Sequence, residues 1–163
     1  MLPIKTILHP TDFSASAEFA FRVACSLARD YGARLVLLHV IAPPPVGNFG
    51  GMPVVPPPPP ELGRKEWEAN LRRLQPADVT IPVEYELRDG DAATEIIRAA
   101  ESIPCELIVM GTHGRGALGR LLMGSVAEQV VRKAPCPVLT VKTPAGETAA
   151  AAKGSARTKP AIA

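Results

Sequence analysis

No stretch of the chain is both long and apolar enough to span a bilayer. That absence removes a helical membrane anchor. The cysteines number only three, Cys25, Cys105 and Cys136, with no CxxC spacing and no neighbouring histidine pair. An odd count without those spacings argues against a zinc site or a disulfide scaffold, so buried thiols are read in preference to the alternative, a redox role. Charge of one sign is also missing from the body. From Lys142 onward four basic side chains stand against one acidic one, so the formal net charge of +2 belongs to the tail. A near-neutral body is not built to neutralise DNA, and the tail is too sparse in charge to hold it strongly. The start, Met1-Leu-Pro-Ile-Lys-Thr-Ile-Leu8, runs directly into a strand pattern, so no signal peptide is read and cytoplasmic residence is expected.

What is present fits one domain: 163 residues, 47% hydrophobic and 21% charged, enough for a full core. The most informative segment is Met110-Gly-Thr-His-Gly-Arg-Gly-Ala-Leu-Gly-Arg-Leu-Leu-Met-Gly-Ser125. It follows the apolar run Leu107-Ile108-Val109, as a buried strand opening into a glycine-rich loop with a helix beyond. Such a loop brings backbone N–H groups together, and a helix N-terminus adds positive dipole. Both suit a phosphate.

Along the chain, Ile4 to His9 reads as a strand and Pro10 to Ser14 as a loop whose Ser14 can cap a helix. Ala20, Val23, Ala24, Leu27, Ala28 and Tyr31 recur at helical spacing, and Gly32 sits where a left-handed cap belongs. Leu35 to Ile41 is continuously apolar, as a parallel strand covered on both faces requires. Pro43 to Pro60 cannot be helix or central strand and reads as an inserted loop with polyproline character. A ligand for a proline-recognition domain is its sharper alternative. Glu61 to Leu74 predicts a modest helix. Ile81, Val83, Tyr85 and Leu87 alternate, and Pro82 places that strand at a sheet edge. Asp91 can cap a helix with Ala93, Ile96, Ile97 and Ala100 inward. Ser125 and Glu128 have capping-box spacing, with Val126 and Val130 inward. Pro137 to Val141 is the last strand, and Thr143 to Ala163 is expected to be disordered. Strand and helix alternate throughout, so the expected fold is α/β: a doubly wound parallel sheet of five strands with helices on both faces. Ligands of such sheets bind beyond the carboxyl ends of the strands, where the strand order reverses. The loops Pro10–Ser14 and Gly111–Ser125 would meet there.

Gly114-Arg-Gly-Ala-Leu-Gly119 satisfies GxGxxG, but Gly111-Thr112-His113 intervene after the strand and the acidic residue about 20 positions on is absent. GxxxxGK[ST] is absent as well, so this is no P-loop. A better fit is Gly111-x-x-Gly114, nine positions, then Gly124-Ser125. This resembles the signature of the universal stress protein family in its ATP-binding branch. Ile7-Leu-His-Pro-Thr-Asp-Phe-Ser14, Leu37-Leu-His-Val40, Gly90-Asp91 and Pro135-Cys-Pro-Val-Leu-Thr-Val141 resemble its first strand and aspartate loop, second strand, third turn and closing strand. The resemblance spans residues 1–142; the proline-rich insertion (43–60) and a short second helix depart from it. Two catalytic motifs of the wider fold group, HxGH and SGGxDS, do not occur here.

The resemblance implies an ATP site. Pro10 and Thr11 would shape the first loop, and Asp12 would hydrogen-bond near the adenine or ribose, the alternative being a capping aspartate. Val40 or Ile41 would meet the adenine face or simply pack in the core. After Met110, Gly111 and Gly114 would let Gly111-Thr112-His113-Gly114-Arg115 pass under ribose and phosphates. His113 can donate to a phosphate, and Arg115 and Arg120 can neutralise one. The N–H groups of Gly124, Ser125, Val126 and Ala127 suit the β- and γ-phosphates. Mg²⁺ could arrive with the triphosphate, with Asp12 nearby. No nucleophile–base pair stands near the loop, so any hydrolysis is expected to be slow. The resemblance further implies a homodimer through the last strand, Val138, Leu139, Thr140 and Val141. His9 and His39 lie on strands and read as core or rim residues.

Overall fold

Within each apolar run neighbouring residues point to opposite faces, and a sheet covered on both sides uses all of them. A computed structural model describes residues 3–43, 48–49, 52–53, 61–112 and 123–143. The elements follow as β1 (Thr6–Pro10), α1 (Ala15–Tyr31), β2 (Arg34–Ile41), β3 (Asn48–Phe49), β4 (Met52–Pro53), α2 (Glu61–Arg72), β5 (Val83–Asp89), α3 (Ala92–Ser102), β6 (Leu107–Gly111), α4 (Ser125–Lys133) and β7 (Val138–Val141). Five strands form one parallel sheet in the order β5-β2-β1-β6-β7. The expected doubly wound α/β fold is therefore present. β3 and β4 form a separate antiparallel pair inside the proline-rich insertion. Most of that insertion and the tail from residue 144 lie outside the described residues.

Ile7, Leu35, Leu37 and Val109 pack with Phe21, Ala24 and Ala28 of α1 and Leu71 of α2 on one face. Leu8, Val36, Leu38, Ile108 and Met110 pack with Ala93, Ile96, Ala99 and Ala100 of α3 and Ala127 and Val130 of α4 on the other. Each fully buried aliphatic side chain of this kind contributes about 1.5–3 kcal/mol. In α3 the inward stripe runs through Ala99, while Ile97 is only half-buried. Among the described residues β5 has a sheet neighbour on one side only, as Pro82 suggested. The Pro82 carbonyl still accepts the Leu35 N–H at 2.8 Å.

All strands run the same way, but the order in which they are added reverses between β1 and β6. From β1 the order proceeds outward through β2 and β5; from β6 it proceeds outward to β7. The carboxyl ends of β1 and β6 therefore flank the switch point.

Candidate functional site

Beyond the sheet, β1 feeds α1 on one face, and β6 leads to α4 on the other. Leaving in opposite directions opens a crevice at the switch point. The β1–α1 turn is held by its own polar side chains. Thr11 N–H donates to the Leu38 carbonyl at 2.8 Å. Thr11 Oγ1 accepts from Phe13 N–H at 3.1 Å, and Asp12 Oδ1 accepts from Ser14 N–H at 3.0 Å. Ser14 Oγ then caps α1 by accepting from Ala17 N–H at 3.2 Å. Asp12 thus shapes the turn just ahead of the cap, and Ser14 is the cap.

Phe13 lies at φ +60°, the left-handed region that L side chains rarely adopt. Its ring lies 4.7 Å from that of His39 and stacks on that of Trp67 at 5.9 Å. His39 Nδ1 donates to the Thr11 carbonyl at 2.8 Å, an assignment forced by an acceptor that has no proton. Three rings from the turn, β2 and α2 therefore fix the backbone on either side of Asp12.

At the end of β6 a side chain has no room. A Cβ on Gly111 would stand 2.4 Å from Ser16 Oγ and 3.0 Å from the Ser16 carbonyl, so only glycine lets the strand close on the first turn of α1. Thr112 N–H donates to the Val141 carbonyl at 3.1 Å, and Gly124 N–H donates to the Thr112 carbonyl at 2.8 Å. The latter bond returns the chain beside the strand it left, with the helix start at the crevice.

The cap of α4 is Gly124, whose carbonyl accepts Glu128 N–H at 2.9 Å and which offers no side-chain cap. The expected Ser125–Glu128 capping box does not form. Ser125 is already the first helical residue, and the Glu128 carboxylate instead accepts from Arg132 one turn on, at 2.6 Å. The first-turn amides of Ser125, Val126 and Ala127 have no acceptor within the helix. The Val126 and Ala127 side chains turn into the core, so these residues can offer a ligand their backbone.

Beneath the crevice, His9 is fully buried between β6 and α1. Its Nδ1–H donates to the Val109 carbonyl at 2.8 Å, and its ring lies 5.8 Å from that of Phe21. Burial lowers its pKa to about 4, against the weaker raising effects of that bond and of Asp12. The imidazole is neutral at pH 7. His9 Nε2, Ser16 Oγ and Thr143 Oγ1 are buried polar atoms without a hydrogen-bond partner among the described residues. All three belong to the carboxyl end of the sheet, where buried polar atoms ordinarily need a partner.

Pro10, Thr11, Asp12, Met110, Gly111, Thr112, Gly124 and Ser125 are thus gathered at one end of the sheet. Val40 and Ile41 end β2, one strand away. Val40 is half-buried against the α3–α4 core, and the buried Ile41 accepts Gly90 N–H at 3.0 Å. His113, Gly114, Arg115 and Arg120 lie outside the described residues. Sequence reasoning missed Ser16 and the Phe13–His39–Trp67 cluster. A small residue one turn beyond a strand-end loop is the faint signal for the first; nothing in the spacing announces the second.

The model of the universal stress protein family matches residues 3–142. The chain belongs to that family. Universal stress protein MJ0531 of Methanocaldococcus jannaschii is 35% identical over 147 residues, covering 88% of this chain and 85% of its own. The solved structure of MJ0577, from the same organism, superposes with a TM-score of 0.68 at 30% identity, over 88% of this chain and 99% of that one. A universal stress protein solved in complex with cAMP shares the fold at 21% identity and a TM-score of 0.61, over 87% of this chain and 99% of that one. Among the described residues no helix is long and apolar enough to cross a membrane, and no cluster of three metal-ligating side chains occurs.

Proposed function

We propose that the crevice binds ATP and that the protein is a nucleotide-responsive module of the stress-protein type. In this reading residues 1–142 form the nucleotide-binding domain and residues 143–163 a tail. The observation that carries it is the α4 N-terminus, which has no side-chain cap among the described residues and is tied by Gly124 to the end of β6 at the switch point. The Ser125, Val126 and Ala127 amides there suit a phosphate chain. Asp12, held by the ring cluster, takes the sugar–base end, with Val40 or Ile41 against the adenine. Gly111 and Thr112, at the end of β6, are assigned to the ribose side, and His113, Gly114 and Arg115, outside the described residues, are assigned contacts to ribose and phosphates. Mg²⁺ travels with the triphosphate, held mostly by phosphate and water. A fold relative has been solved in complex with cAMP, which supports an adenine nucleotide as the class of ligand.

Calorimetric titration with ATP is the test. Saturable heat and a raised melting temperature are expected; neither at millimolar ATP rejects the site. Adenine nucleotide released on denaturing the purified protein would support it independently.

We also propose a homodimer through β7. Among the described residues Val138–Val141 has a sheet neighbour on one side only, and Leu139 is 39% exposed. An open edge needs pairing or cover. Sedimentation at micromolar concentration should give a dimer, and a monomer would remove the idea.

A further inference from the structure

The amino end of the sheet carries a feature that nucleotide binding does not use. Cys105 stands just before β6 and Cys136 just before β7, so parallel pairing of those strands brings them side by side. Their Sγ atoms are 3.6 Å apart, within hydrogen-bond reach. Cys105 is buried in the α3–α4 core; Cys136 is half-buried and packs against it. Cys25, the third free thiol, belongs to the core on the opposite face of the sheet.

We propose that Cys105 and Cys136 form an oxidisable dithiol, which a hydroperoxide converts to an intramolecular disulfide between the turns ahead of β6 and β7. Cys136 is the attacking sulfur, being the more exposed and able to accept a hydrogen bond from the Cys105 thiol. Once it has lost its proton, its thiolate attacks the hydroperoxide: an S–O bond forms, the O–O bond breaks, and the departing alkoxide (hydroxide, where hydrogen peroxide is the oxidant) takes up that proton and leaves as alcohol or water. Cys105 sulfur then attacks the Cys136 sulfenic acid. The S–S bond forms, the S–O bond breaks, and hydroxide leaves with the Cys105 proton as water. Two thiols lose two electrons to the peroxide, giving disulfide, one water, and an alcohol or, from hydrogen peroxide, a second water. Closing from 3.6 Å to a bond of about 2.05 Å asks for a small approach of two turns, not a rearrangement of strands.

The pair is a slow sensor. Burial, and then the neighbouring Cys136, push the Cys105 thiol up to about 12, and burial raises Cys136 as well. Glu106, the charged group acting on both, raises them further. Thiolate is the reactive form, so the reaction accelerates as pH rises. None of this depends on nucleotide at the opposite end of the sheet.

The test exposes the full-length reduced protein to hydrogen peroxide, counts thiols after denaturation, and maps tryptic peptides. Two of three thiols should disappear together, with residues 99–115 linked to residues 134–142 at a mass lower by two hydrogen atoms. Dithiothreitol should restore both. In Cys105→Ser the sulfenic acid should persist on Cys136 and be trapped by a dimedone-type probe. In Cys136→Ser thiol loss at Cys105 should fall at least tenfold. Oxidation of Cys25 at the same rate, a disulfide only between copies, or sulfinic acid on Cys136 without the linked peptides would each overturn the proposal. Thermal melts of the reduced variants establish that they are folded before exposure.

Discussion

Two kinds of helix start face the carboxyl end of this sheet. α1 and α3 are closed by their own sequence: Ser14 Oγ takes Ala17 N–H, and Asp91 takes Thr94 N–H at 3.0 Å. α4 begins at a glycine and has no side-chain cap among the described residues. The first two spend their polar side chains on stability; the third leaves its amides for something outside the helix. A capping side chain contributes about 1 kcal/mol, so an uncapped start at a crevice is a stability concession in exchange for binding capacity. The contrast can be tested at four places.

The largest effect is expected at the floor shared by both regions. His9 is neutral and buried, with its pKa lowered from 6.5 to about 4. Between those values the unfolded chain takes up a proton that the folded chain refuses. Stability is therefore complete above about pH 6.5, falls as pH drops, and levels off below about pH 4. Over that interval the loss approaches about 3 kcal/mol from this one group. Urea melts from pH 7.5 to 4 should show it, and His9→Asn, which can keep a donor toward Val109, should flatten the profile. An unchanged slope in His9→Asn would place the loss elsewhere.

Next comes Gly111→Ala. The added carbon meets backbone as well as hydroxyl of Ser16, so β6 must draw away from α1. Overpacking of this kind costs about 1–3 kcal/mol. Because Thr112 holds Gly124, the shift should also weaken any ATP binding. Full stability in Gly111→Ala, measured by urea melts, would mean that the close approach is not needed.

Most of this arrangement was legible from residues. Alternation and continuous apolar runs gave the strands, Ser14 and Asp91 gave two helix starts, and strand–helix order gave the sheet. The α4 start misled because Ser125 and Glu128 have capping-box spacing. The deciding facts are tertiary: the Thr112 carbonyl holds Gly124, whose own carbonyl starts the helix one residue earlier, and Arg132 claims Glu128. The ring cluster was equally hidden, since Phe13, His39 and Trp67 come from three elements and meet only after folding. Cys105 and Cys136 are 31 positions apart and become neighbours only through strand pairing.

The closed helix starts supply the third prediction. Ser14→Ala and Asp91→Ala should each cost about 1 kcal/mol and leave the glycine start of α4 as it is. The Asp91 carboxyl is held below its ordinary pKa by hydrogen bonds from the Thr94 side chain and backbone. Its contribution is therefore present above about pH 4 and lost as pH falls through the lowered value. Asp91→Asn should remove that acid sensitivity, read from melts between pH 5 and 2.

The smallest expected stability effect is the most discriminating. Gly124 has φ −62° and ψ 151°, ordinary extended backbone that serine adopts without strain. Gly124→Ser would give α4 the hydroxyl cap that α1 already has, and should raise stability by a few tenths of a kcal/mol. That hydroxyl would occupy a first-turn amide that the proposed site reserves for phosphate. Stability and ATP affinity should then move in opposite directions, one read by urea melts and the other by calorimetry. A variant that gained stability and kept its affinity would show that the α4 amides are merely uncapped, and would move the phosphate contacts to another part of the crevice.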